Sequence, residues 1–191
     1  MAQQDWRALK RDATRRRLTE SAYELIAEHG YEAVSVADIA EAADVSVPTF
    51  YAYFRTKEHV VLPDQDLAWI SGHLSRTPAD LPLPERIRVG LHAIVAEIEQ
   101  HARAESIRRW ELVRAEPALR RRAYERERAS AGALAEVLGV DLATSEGAAD
   151  VVVLSACLSA STTAFLRWAG TSGTRPLVEL IDEAFTALRS I

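Results

Sequence analysis

Apolar residues along this chain recur at steps of three and four, and nowhere do they alternate at a step of two over the length of a strand. Over residues 14–30, Leu18, Ala22, Leu25 and Ile26 keep the helical period, and Gly30 stands where a C-terminal cap belongs. Ser35 then opens S-V-A-D, a capping hydroxyl with an acid three residues on, ahead of the stripe Val36, Ile39, Ala40 and Ala43. After Asp44, Val45 and Ser46, a second short helix over 47–54 is predicted. Ser46 is its cap, Pro48 is tolerated in its first turn, and Val45, Phe50 and Phe54 face inward. Thr56 caps a further helix running to about Leu74, with a late start or a kink at Pro63.

The segment S-R-T-P-A-D-L-P-L-P over 75–84 reads as a loop, and Ile87, Leu91, Ile94, Val95 and Ile98 begin a clear amphipathic helix after it. A shorter helix through Ile107, Trp110, Leu112 and Val113 stops near Pro117. Another runs on to about Leu138 and closes at Gly139. Residues 141–146 are a turn. Val151, Leu154, Leu158, Ser161, Phe165 and Trp168 define a long helix, 170–173 break it, and Leu177, Ile181, Ala184 and Leu188 define the last. The expected fold is all-α with about nine helices, divided into residues 1–56 and 57–191.

Composition narrows the function classes. The chain has 191 residues, 48% of them hydrophobic and 27% charged, with a net charge of −5, a balance suited to a packed globular protein. One cysteine, Cys157, makes no internal disulfide and no thiolate metal site. The opening M-A-Q-Q-D-W-R-A-L-K-R-D is not a signal peptide, and the longest apolar run, 151–158, is short of the roughly 20 residues of a membrane helix. A cytoplasmic protein without a membrane partner is therefore expected. Charge is uneven, however. Arg7, Lys10, Arg11, Arg15, Arg16 and Arg17 are opposed locally only by Asp12, which suits a phosphate-facing segment, whereas Arg120, Arg121, Arg122, Arg126 and Arg128 alternate with Glu125 and Glu127 as a solvated face would.

Two helices of about two turns each cannot stand alone and need a third to brace them. That is the geometry of a helix-turn-helix, whose second helix is offered to the major groove of duplex DNA. Asp44 is among the few non-glycine residues that accept the left-handed turn conformation. Positions of the second helix that turn from the core are Val47, Pro48, Thr49, Tyr51, Ala52 and Tyr53. Thr49 offers a hydroxyl, Val47, Pro48 and Tyr51 suit thymine methyls, and Tyr53 and Lys57 suit phosphates, with Arg15 and Arg16 in the preceding basic stretch. The helix has no Arg, Asn or Gln, so discrimination leans on apolar contacts and duplex shape.

Residues 14–61 resemble the DNA-binding domain of TetR-family transcriptional repressors. The resemblance rests on the basic residues before helix 1, on A-E-H-G-Y at its end, and on S-V-A-D-I-A-E-A-A-D-V-S-V-P-T-F-Y-A-Y-F-R-T-K-E-H-V. Asp44 departs from the family's usual Gly, and Val47 from a position that is often polar or basic. The resemblance implies a homodimer that binds an operator through helices 1–3, takes a small-molecule effector in the later helices and pairs through its last two. It adds Ser35 and Val36 to the DNA contacts. R-T-K-E-H-V-V-L, the Pro-rich loop and A-E-P-A-L-R also resemble the regulators found with mycofactocin gene clusters, which implies an acyl-coenzyme A as effector.

For the effector, an apolar cavity lined from Trp69, Leu91, Ile94, Trp110, Tyr124, Cys157, Ser161 and Phe165 is expected, with Arg108, Arg109 and Arg114 available to an anionic group. For the two-fold interface the candidates are Leu154, Leu158, Phe165, Leu177, Ile181, Ala184 and Leu188, with Ala156, Ala160 and Ala164 allowing close approach. No catalytic motif is present, the five histidines form no i, i+4 pair, and no metal or cofactor is expected. The competing reading is a dimeric helical interaction module blind to DNA sequence.

Overall fold

The structure, a computed structural model, describes residues 2–190, with side chains for residue 6 and from residue 9 onward. Arg7 of the basic stretch thus has a side chain outside the described set. Among the described residues the regular elements are α-helices only: α1 (Ala2–His29), α2 (Val36–Ala42), α3 (Val47–Tyr53), α4 (Lys57–Val61), α5 (Leu67–Leu74), α6 (Leu83–His101), α7 (Arg103–Ala115), α8 (Pro117–Val137), α9 (Ser145–Gly170) and α10 (Leu177–Leu188). Ten replace the expected nine because Pro63 ends one helix outright instead of bending it. Leu62, the residue before it, is pushed out of helical geometry (φ −126°, ψ 80°). Asp66 then starts a new helix by accepting from the Trp69 N–H at 3.0 Å. Thr56 does not cap α4 through its side chain; its hydroxyl lies 2.9 Å from His59 Nδ1. At the other end α1 starts well before Thr14, since residues 2–13 contain good helix formers and no Pro or Gly.

The chain forms two compact units, Met1–Pro63 and Asp64–Ile191. The first unit has α1 as its spine. Leu18, Ala22 and Ile26 on α1, Ile39 and Ala40 on α2, Phe50 on α3, and Val60 and Val61 on α4 are all buried, with α1 packed on α2 and α4, and α2 on α3. Each of the Leu, Ile, Val and Phe side chains among them stabilises the unit by about 1.5–3 kcal/mol relative to exposure. α4 stays with this unit because polar ties reinforce its packing: Tyr23 Oη donates to the Val61 carbonyl at 3.5 Å, and Tyr31 Oη donates to Glu58 Oε1 at 2.9 Å. Burial works against the charged Glu58, yet hydrogen bonds from Thr56, its own backbone and Tyr31 hold its carboxyl below the usual range.

In the second unit α9 is central and is flanked by α6, α7, α8 and α10. Its inner face supplies Leu154, Cys157, Ala164 and Trp168. These pack with Leu177, Leu180, Ile181 and Phe185 of α10, Ile87 and Val95 of α6, Leu74 of α5, and Leu134 and Ala135 of α8. Three of the residues expected at a dimer interface, Leu154, Leu177 and Ile181, are therefore core of a single subunit, at most 1% exposed, and have no surface to give a partner. Leu158, Phe165, Ala184 and Leu188 are only partly buried. α9 contains an 18-residue window of mean hydropathy 1.6, long and apolar enough to cross a membrane, contrary to what the contiguous apolar run suggests, and 22% of that window is buried. Much of its surface is left uncovered, with Val152 at 68% exposure.

Candidate nucleic-acid interface

The presenting element is α3, and local chemistry fixes both of its ends. Ser35 caps α2 through a complete capping box: its Oγ accepts from the Asp38 N–H at 3.2 Å, and Asp38 Oδ2 accepts from the Ser35 N–H at 2.8 Å. These bonds from Ser35 keep the Asp38 carboxyl below its ordinary range. Asp44 takes the left-handed turn at φ 51°, as its short polar side chain allows. Ser46 caps α3 by accepting from the Thr49 N–H at 3.2 Å. Phe50 and Phe54 then turn inward, fully and almost fully buried, with ring centroids 5.8 Å apart. Because they occupy the inner face, Val47, Pro48 and Tyr51 must point out, and Tyr51 is 54% exposed.

The outward surface is more apolar than the residue list suggests, since several polar members are engaged internally. Thr49 Oγ1 lies 2.8 Å from Ser46 Oγ, and Ser35 Oγ donates to Asp38 Oδ2 at 2.7 Å. Lys57, expected at a phosphate, is held within the unit. Its Nζ donates to the carbonyls of Tyr31 (2.6 Å) and Val34 (2.8 Å) and sits 4.0 Å from the Tyr31 ring centroid. The ammonium thus satisfies carbonyls beyond the end of α1, where Gly30 has φ 84°. Val36 is half-buried at the start of α2. Arg15 lies over the Phe54 ring at 4.9 Å and Arg11 over the half-buried Tyr53 ring at 5.9 Å, which fixes the base of two cations beside α3, while Arg16 is exposed. Arg55, exposed directly after α3, completes the basic rim. Sequence reasoning passed over it, although its place between Phe54 and Thr56 in the quoted motif was a usable signal. An open groove of about 620 Å³ along α1 and α2, by contrast, is rimmed by Asp38 and Glu41.

The Lys57 geometry makes a checkable distinction. Lys57→Met is expected to destabilise the first unit by about 1.5–3 kcal/mol, the scale of hydrogen bonds from a charged group. The salt dependence of duplex binding should stay as in the parent chain, where loss of a phosphate contact would lower its slope by about one. Urea unfolding and titrations at several salt concentrations separate the two roles.

The expected effector residues do not form one site. Trp110 and Phe165 do meet, stacked at 4.8 Å, and Trp168 closes edge-on at 6.2 Å. Trp69 packs instead on His73 and donates Nε1–H to Glu97 at 3.3 Å, on the α5–α6 side. Leu91 and Ile94 are core or core-edge residues of α6. Cys157 is fully buried, its thiol pushed up to about 11 by desolvation, and Ser161 Oγ donates to the Cys157 carbonyl at 2.7 Å. Tyr124 is 53% exposed on α8 and lines no interior, because the helical period turns it away from Leu119 and Ala123. Of the three arginines, Arg109 approaches the aromatic stack through Arg126; Arg108 and Arg114 are exposed.

Comparison with known proteins agrees with this architecture. The model for bacterial regulatory proteins of the tetR family matches residues 18–62, and that for the MftR C-terminal domain matches residues 81–191. MftR of Mycobacterium tuberculosis is 33% identical over 86 residues, 44% of this chain and 43% of that protein. The HTH-type transcriptional repressor KstR of Rhodococcus jostii is 42% identical over 48 residues, 25% of this chain and 23% of that one. The matched stretches span less than half the length of either relative. The structure of the fatty acid degradation regulator FadR from Bacillus halodurans shares the fold at 17% identity, with a TM-score of 0.54 over 92% of this chain and 94% of that one.

Proposed function

This chain belongs to the TetR family of bacterial regulatory proteins, with a C-terminal domain of the MftR type, and from that premise we propose that it is a homodimeric repressor released from a pseudo-palindromic operator by a small apolar or amphiphilic effector, an acyl-coenzyme A being the first candidate. The family consists of transcriptional regulators, not enzymes. The observation that carries the reading is α3: two of its aromatic neighbours are locked into the core, so Val47, Pro48 and Tyr51 are held outward. A single such helix reaches only a few base pairs, so a second copy about 34 Å away is needed for useful affinity. The uncovered stripe of α9, with Val152, Ser155, Ser159 and Thr163 exposed, is the surface we assign to the two-fold contact, with Leu158 and Leu188 at its edges. Release follows if the effector binds more tightly to a state whose two α3 helices no longer match successive major grooves. A cytoplasmic location beside the chromosome is part of this reading.

Tyr51→Ala tests it. The side chain is exposed, so melting temperature and dimer mass should hold. Affinity for promoter fragments from the gene's own neighbourhood should fall about tenfold, near the lower end of what one base-reading contact contributes. If the parent protein binds no duplex in a salt-sensitive way, the chain is instead an interaction module.

A further inference from the structure

Resting on the reading of the second unit as the effector-binding half, we infer that Arg109, Arg122 and Arg126 form a site for the oxyanion end of an amphiphilic ligand, with Asp64 as the internal counter-ion that the ligand displaces. The site is built from α7 and α8. Arg122, its side chain 15% exposed, holds Asp64 Oδ1 through Nη2, while its Nε is buried with no acceptor. Arg109 pairs through Nη2 with Glu105 Oε1 at 2.5 Å, and its Nε is likewise buried without an acceptor. Arg126 lies between them and the aromatic stack, 5.8 Å from the Trp110 ring centroid. Beyond that stack, the Trp168 Nε1–H is a third buried donor with nothing to accept it. One acceptor, Glu127 Oε2, is also unmatched. Among these unmatched atoms of the described residues donors outnumber acceptors, and a buried donor left without a partner is costly. An oxyanion with several lone pairs is the group that relieves this, and guanidinium forks fit it in two-point geometry.

The charges agree. Burial and then repulsion from Arg109 and Arg122 bring Arg126 down to about 10, with Asp64 acting in the opposite sense. Asp64 is 59% exposed, a weak and replaceable counter-ion. The stacked Trp110 and Phe165 offer an apolar body next to the cations, so the ligand that fits is an apolar chain or ring ending in phosphate or carboxylate. Displacement has a consequence for the fold. Asp64 begins the second unit, immediately after Pro63, and it and Gln65, which accepts from Ser130 Oγ, fasten this connector to α8. An anion that takes Arg122 removes the tie from Asp64 to α8.

The test is calorimetric titration of the full chain with dodecyl phosphate, laurate and dodecanol, which share a chain length and differ in head group. At least one anion should bind at least about tenfold more tightly than dodecanol, as charge-assisted hydrogen bonds require. Whichever anion is preferred identifies the oxyanion. Arg126→Gln should abolish that preference, and Asp64→Asn, which keeps the side-chain size and removes the charge, should tighten the anion about fivefold, the scale of one partly exposed ion pair. Equal binding of dodecanol, or no tightening in Asp64→Asn, overturns the inference. Neither readout involves DNA, so a site that binds anions without altering operator affinity would instead count against the regulatory reading.

Discussion

Gly147→Ala is expected to destabilise the second unit by about 3 kcal/mol or more, at the upper end of what overpacking costs, and to lower its melting temperature by about 10 °C. Gly147 lies in the first turn of α9, where a Cβ would stand 2.0 Å from the Asp141 carbonyl oxygen, 2.6 Å from its carbon and 3.1 Å from Thr144 Oγ1. The obstacle is backbone, so no rotamer relieves it. The turn over 141–144 would have to move, and with it the cap in which Thr144 Oγ1 accepts from the Gly147 N–H at 3.0 Å. Gly132→Ala on α8 is the control: nothing lies within 4 Å of its Cβ, and the change should stabilise by about 0.5–1 kcal/mol through helix propensity alone. Thermal melts of the two variants should therefore move in opposite directions. Equal behaviour would mean that the turn before α9 yields easily.

The second large effect is expected at Phe50. Its ring is fully buried among α1, α2 and α3, edge-on to Tyr51 at 5.5 Å and tilted to Phe54 at 5.8 Å. Phe50→Ala should cost about 3–5 kcal/mol through lost burial and the cavity left behind. Helices of seven residues have little intrinsic stability to absorb that loss. Hydrogen exchange over residues 35–54 should rise sharply and duplex binding should vanish, while α6 to α10 keep their protection. Retained protection in α3 with binding intact would remove Phe50 from its place as the anchor of the reading helix.

The first unit was legible in the sequence because its determinants are local. The Ser35–Asp38 box, the Ser46 cap, Pro48 in the first turn of α3 and a turn at Asp44 each involve residues within a few positions of one another. Phe50 and Phe54 were assigned inward by periodicity alone, and they are buried. The internal partners of Lys57 were not legible, because Tyr31 and Val34 are 26 and 23 residues away and nothing in its neighbourhood announces two bare carbonyls. That Leu154, Leu177 and Ile181 are buried within their own subunit was not legible for a related reason. Periodicity identifies an apolar stripe, but α9 has apolar residues on several sides, and the stripe cannot say which of them its own subunit covers.

Local pattern was enough to show that the chain is helical, where its short helices begin and turn, and which side of α3 is exposed, since hydrogen-bond caps and the 3.6-residue period act over a handful of neighbours. Tertiary structure alone decided that Trp110 stacks on Phe165, that Arg109, Arg122 and Arg126 converge beside Asp64, and that Lys57 closes a turn. The aromatic stack, the approach to Asp64 and the Lys57 bonds join residues between about 20 and 60 positions apart, and their partners are selected by how helices pack, a property that no stretch of the chain carries on its own.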